Sequence, residues 1–258
     1  MLLYSPAASF PAQAGTSLAE DLADSGYAVV SITDTHGAFP GTVFPDGHVE
    51  LYDSRNLTNP VGDIMRMSSQ ARAADIRFVL DKLTAFARGS DPELPMGPAL
   101  DLTNVGMYGH SLGGTMAVFA DPRIRAGVDL DGYADPSDLA AGLVAEPRRP
   151  MLFIFGSWAD PDIRRRTVDR MCAGRVGWTR ELVLAGAGHW SFSDLGYLPR
   201  QVAEAPLLSG LLGTIPADRA HTVIRTYVTA MFDRYLRNRS VPLLDAPTSP
   251  FPEISANK

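Results

Sequence analysis

Residues 106–115 read GMYGHSLGGT: one hydroxyl side chain, Ser111, is hemmed in by glycines directly after an apolar run, LTNVGMYG (102–109), of strand character. Gly109-His110-Ser111-Leu112-Gly113 fits the pattern G-x-S-x-G, and LGGTMAVFA (112–120) continues it as a helix. A sharp strand-to-helix turn strains the serine backbone and lifts its oxygen above the sheet. A side chain at either flanking glycine would collide with the neighbouring strand or helix. The turn also aims the amide of Leu112, at a helix N-terminus, toward any oxyanion formed there. Gly-rich strand ends before helices are common in themselves. It is the strand–turn–helix context together with a third glycine, Gly114, that makes Ser111 the candidate nucleophile.

Working outward, five more short apolar runs of strand type close at Gly, Asp or Ser or run into a loop: LLYS (2–5), YAVVSI (27–32), AGVDLD (126–131), MLFIFG (151–156) and RELVLA (180–185). Helical spacing predicts helices around 16–25, 63–88, from Ser111, near 161–173 and over 216–238. The last opens with Pro216 and carries Ile224, Tyr227, Val228, Met231, Phe232 and Tyr235 on one stripe. Strand–helix alternation with continuous apolar strands implies an α/β fold: a mostly parallel central sheet of about six strands flanked by helices, in a single domain over 1–258. Segments 34–62 and 186–215 read as irregular, and loops of that length often line a site.

Composition narrows the function. The 258 residues are 45% hydrophobic and 20% charged, enough to bury a sizeable core. A net charge of −6, with no Lys/Arg cluster beyond Arg164–Arg166, argues against a nucleic-acid partner. The single cysteine, Cys172, allows no intrachain disulfide and is compatible with the cytoplasm. The N-terminal MLLYSPAASF lacks a basic, apolar leader, and no stretch reaches about 18 apolar residues, so neither a signal peptide nor an integral membrane span is expected. No two histidines have metal-ligand spacing with a carboxylate, so no metal is expected.

A serine hydroxyl is a weak nucleophile at neutral pH and needs a base. Of the five histidines, His189 alone follows a late strand in a glycine-bounded loop, AGAGHWSFSD. His36 and His48 precede the serine, His110 adjoins it and His221 falls on the last helix, which suits solvated or packing roles. His36, in DTHGAF after a strand, is the exception that can border a pocket. The acid has two sources. GVDLDGY places Asp131 at one strand end, with Asp129 deeper in the strand, and FGSWADPD places Asp160 and Asp162 past the next.

Together, LLYSPAASF, GHSLGG, AGVDLDGY and GHWSFSD resemble the platelet-activating factor acetylhydrolase-like branch of the α/β-hydrolases, which includes bacterial lipases and esterases; the resemblance covers roughly residues 2–238. It implies Ser111 as nucleophile, Asp131 as acid and His189 as base. In cutinase-like polyester hydrolases the acid follows the next strand, which would select Asp160. The family usually opens its oxyanion loop with His-Gly, whereas this chain has Pro6-Ala7-Ala8-Ser9, and alignment puts Ala8 at the second oxyanion amide. The chain begins at the first core strand, without the family's usual N-terminal antiparallel strands; that reads as a minimal form or as the loss of a part that carried a targeting signal.

The implied chemistry is two-step acyl transfer on a small-molecule carboxylic ester, short-chain or acetyl-type, with no cofactor. Tyr133, Trp158, Trp190 and Phe192 fall beside the catalytic strand ends, where aromatic rings wall an acyl pocket or simply pack the rim. No insertion long enough for an independent lid separates Asp131 from Met151, so an open mouth and water-soluble substrates are expected. The rivals are an acyltransferase or a tailoring enzyme that eliminates or cyclises on the same scaffold, and a binding protein that keeps the pocket.

Overall fold

The computed structural model describes residues 1–89, 99–119, 121–133, 135–197 and 210–256. All six apolar runs form strands: β1 (Leu2–Ser5), β2 (Val29–Ser31), then, beyond a small hairpin, β5 (Val105–His110), β6 (Ile124–Leu130), β7 (Met151–Gly156) and β8 (Thr179–Leu184). They join one sheet in the order β2-β1-β5-β6-β7-β8, every pair parallel. A seventh strand, β9 (Ile254–Ala256), closes the edge antiparallel to β8, with Leu184 opposite Ile254. The fold is therefore the expected α/β arrangement with one strand more. Three residues after a Pro-rich stretch carry no periodicity of their own, and only pairing along β8 makes them a strand.

Five helices cover the sheet among the described residues: α1 (Thr16–Asp24), α2 (Val61–Ala87), α3 (Leu112–Val118), α4 (Pro161–Met171) and α5 (Ala217–Arg237). Alternation of side chains along the strands divides the core in two. Leu3, Met107, Phe153 and Phe155 pack with Ile76, Leu80 and Leu83 of α2, Met116 of α3 and Val168 of α4. Leu2, Tyr4, Tyr108, Leu152 and Leu182 pack with Leu22 of α1 and with Val223, Tyr227, Met231 and Phe232 of α5. Each large apolar side chain buried this way contributes about 1.5–3 kcal/mol. Asn238, left-handed at φ 53°, ends α5.

Segment 34–62, expected to be irregular, holds the hairpin β3 (Gly41–Val43) and β4 (Val49–Leu51) and a helical turn at Ser54–Leu57. Val43, Val49 and Leu51 are exposed, so the hairpin has no buried face to announce it. Of segment 186–215, residues 198–209 lie outside the described residues.

Candidate active site

Two neighbouring parallel strands, β5 and β6, end in the same unusual way. Ser111 follows β5 at φ 57°, ψ −125°, and Asp131 follows β6 at φ 57°. Neither residue is glycine, and strain of this kind costs about 1–3 kcal/mol and persists only where the surroundings enforce it. At Ser111 they do. A Cβ on Gly109 would stand 2.3 Å from the Gly113 carbonyl carbon, and one on Gly113 would stand 2.0 Å from the Ser5 carbonyl oxygen and 2.6 Å from that of Pro6. The glycines thus let the first turn of α3 close against the segment leaving β1, with the Ser5 and Pro6 carbonyls set against Gly113.

The turn brings together three side chains from distant parts of the chain. Ser111 Oγ lies 3.1 Å from His189 Nε2, and His189 Nδ1 lies 2.5 Å from Asp131 Oδ2. Asp131 is fully buried, and its carboxylate also accepts the Gly156 amide on Oδ1 at 2.6 Å and the Trp158 indole on Oδ2 at 2.8 Å. With Nδ1–H donated to Asp131, Nε2 is free to take a proton from the serine. The arrangement can activate Ser111 and hold the resulting imidazolium beside a fixed negative charge.

Asp160 stands elsewhere, at the N-cap of α4, where Oδ1 accepts the amides of Asp162 and Ile163 at 2.8 and 3.2 Å. Asp162 faces Arg165 on the same helix. Asp129 is wholly buried beneath the elbow, with Oδ1 accepting the Gly132 amide at 2.8 Å. Burial pushes its carboxyl well above the usual range, and the nearby Asp131 adds to the shift.

The aromatic residues separate into distinct positions. Trp158, expected to wall a pocket, uses its indole nitrogen on the Asp131 carboxylate while its ring stands edge-on to His189 at 5.5 Å. Tyr133 packs against Trp158 and Phe155. Trp190 meets Phe10, on the loop after Ala8, edge-to-face at 5.6 Å. Phe192 is buried, stacked on His110, and lines a cavity of about 240 Å³ with Leu18 and Ile224, behind the His189 loop and away from Ser111. It belongs to the core cluster that holds Leu18 of α1 and Ile224 of α5. His36 is exposed, its Nδ1 3.3 Å from the Leu51 carbonyl on the hairpin. His48 pairs with Glu50, and His221 pairs with Asp21.

Two further side chains bear on the site. His110 is buried, and its Nε2–H donates to the His189 backbone carbonyl at 2.8 Å. Burial, with His189 beside it, holds its pKa down at about 3, so the ring is neutral. Arg72 on α2 is 3% exposed and reaches the Ser5–Ala7 segment. A signal for Arg72 exists in the sequence: it continues the buried stripe Ile76, Leu80, Leu83 one turn upstream. His110, next to the serine, has no such signal, because its partner lies 79 residues away.

Among the described residues no group of three His, Cys, Asp or Glu could hold a metal ion, and no helix is long and apolar enough to cross a membrane. No family model matches the chain. It is 24% identical to a probable 1-alkyl-2-acetylglycerophosphocholine esterase of Arthroderma benhamiae over 98% of its own length, and spans 65% of that relative. Among solved structures, a ferulic acid esterase from Streptomyces cinnamoneus is 33% identical and superposes with a TM-score of 0.81 over all of this chain and 73% of that one. With that identity and coverage, and with the strand–elbow–helix architecture in place, the chain belongs to the α/β-hydrolase esterase family.

Proposed function

We propose that this protein is a serine esterase that cleaves small-molecule carboxylic esters through an acyl-enzyme. The observation that carries this reading is the continuous hydrogen-bonded line from Ser111 through His189 to the buried carboxylate of Asp131, set on a strained elbow. His189 takes the Ser111 proton as the oxygen attacks the ester carbonyl, and the amides of Leu112 and Ala8 receive the oxyanion. The alcohol then leaves with the proton from His189. A water activated by the same histidine releases the acid. The net charge of −6 supports a small ester rather than a nucleic acid as the partner.

For the acyl group, a short chain is the first reading. A second, aromatic acyl reading is favoured by the Phe10–Trp190 pair beside the oxyanion segment and by the likeness to a ferulic acid esterase. Turnover of p-nitrophenyl acetate and butyrate, set against methyl ferulate, separates the two by kcat/KM. Ser111→Ala should lower turnover of the preferred ester by about 10³-fold or more while leaving the fold intact. Mass spectrometry of the wild type should find the acyl group on Ser111. Near wild-type turnover by the alanine variant would overturn the proposal.

A further inference from the structure

We propose that Arg72 is a positioning residue for the oxyanion site: from beneath, its guanidinium fixes the backbone that presents the Ala8 amide to the substrate. The inference rests on the reading of Ser111 as nucleophile and Ala8 as second oxyanion donor. The segment in question leaves the C-terminal end of β1, so the carbonyls of Pro6 and Ala7 lie past the strand pairing with β5, which ends at Ser5. It contains a proline with no N–H to donate and alanines with no polar side chain to form a hydrogen bond. Arg72 supplies the anchor. Nη1 donates to Ser5 Oγ at 2.9 Å and to the Pro6 carbonyl at 2.5 Å, and Nη2 donates to the Ala7 carbonyl at 3.0 Å.

One planar group thus holds three successive residues, a geometry that lysine's single ammonium cannot reproduce. Burying a cation is costly unless it is bonded. Here the compensation comes from these oxygens and from Asp34, whose Oδ2 lies 4.0 Å from Arg72 Nε. The far end of the segment is held separately: Ser9, at φ 65°, bridges Ala38, and the Phe39 amide donates to the Ser9 carbonyl at 3.0 Å. Between these two anchors sits Ala8. Oxyanion donors act only if they are already aimed when charge develops, so a fixed backbone here takes over the task that a family-type His-Gly loop would perform by its sequence.

The test compares Arg72→Lys and Arg72→Met with wild type on p-nitrophenyl butyrate, together with the inactivation rate by diethyl p-nitrophenyl phosphate and thermal melts. Removing one oxyanion donor outright costs about 10²–10³ in kcat, so a loosened donor should cost about 10–100-fold. We expect that loss in kcat and in the inactivation rate, KM within about threefold, and an unchanged pH profile, since His189 and Asp131 are untouched. A folded variant with kcat within about twofold of wild type would overturn the proposal, as would a loss recovered on assaying well below the variant's melting transition. Ser5→Ala removes one acceptor while leaving the cation paired, and covers the case in which neither arginine variant folds. It should lose kcat several-fold at constant KM, and an unchanged kcat would overturn the proposal. Ser111→Ala is assayed in parallel: residual activity there would sink the nucleophile reading itself, whereas an inactive Ser111→Ala beside wild-type-like Arg72 variants sinks only this inference.

Discussion

The indole Nε1 of Trp158 donates to Oδ2 of Asp131 at 2.8 Å, on the same oxygen that faces His189 Nδ1. A residue just past β7, half exposed, therefore helps to hold a fully buried carboxylate at the end of β6. With the Gly156 amide on Oδ1, the carboxylate has three donors and one orientation.

Trp158→Phe keeps a ring beside His189 and removes the donor. A hydrogen bond to a charged group contributes about 1.5 kcal/mol at the low end, suited to a partly exposed donor, so kcat should fall about tenfold with KM for short esters little changed. A raised KM at constant kcat would instead assign Trp158 to the substrate wall.

Asp131→Asn should reduce kcat by about 10⁴, because an amide beside Nδ1 favours the wrong histidine tautomer. Asp160→Ala should keep its activity and lose only about 1 kcal/mol of stability, from the uncapped α4. Steady-state kinetics and urea midpoints on both variants, after circular dichroism, check the pair; an inactive Asp160→Ala would contradict the assignment.

His110 shapes the acid limb of stability. Its pKa lies at about 3 in the folded protein against the ordinary 6.5, so through that window the unfolded chain binds a proton that the native state does not. Its contribution is therefore present above pH 6.5 and is lost as pH falls toward 3. His110→Gln, which keeps a donor for the His189 carbonyl without titrating, should show a flatter fall in urea midpoint between those limits. An identical slope would refute the assignment.

Asp129 works in the opposite sense. Its raised pKa means that the native state retains a proton the unfolded chain releases above the usual carboxylate range, so its effect on stability worsens as pH rises. Asp129→Asn is neutral and isosteric. Its melting temperature should overtake that of the wild type progressively from pH 5 to pH 8, and a constant difference would count against a protonated Asp129.

Much of the molecule was legible before folding because the signals are local. Apolar runs of four to eight residues with turn residues at their ends specify β1, β2 and β5 to β8, and stripes at 3.6-residue spacing specify α2 and α5. The elbow was legible for the same reason: Gly109, Ser111 and Gly113 act on one another within one turn. Strands β3, β4 and β9 were not, since three exposed or half-exposed residues carry no pattern and exist as strands only through a partner. The exposure of His36, in the loop before the hairpin, and the burial of Phe192 behind the histidine loop were hidden alike.

By itself, then, the sequence determined the parallel sheet with its flanking helices, the elbow at Ser111, and the loop that carries His189. Only the tertiary structure decided which carboxylate meets that histidine. Asp131 and Asp160 both follow strand ends in the sequence, and what separates them is the left-handed turn after β6, which directs one carboxylate to His189, while the other caps the helix that follows it. It also decided the work of Trp158, His110 and Arg72, whose partners lie 27, 79 and up to 67 residues away. Hydrogen bonds across such distances depend on how strands and helices are placed against one another, which no local pattern encodes.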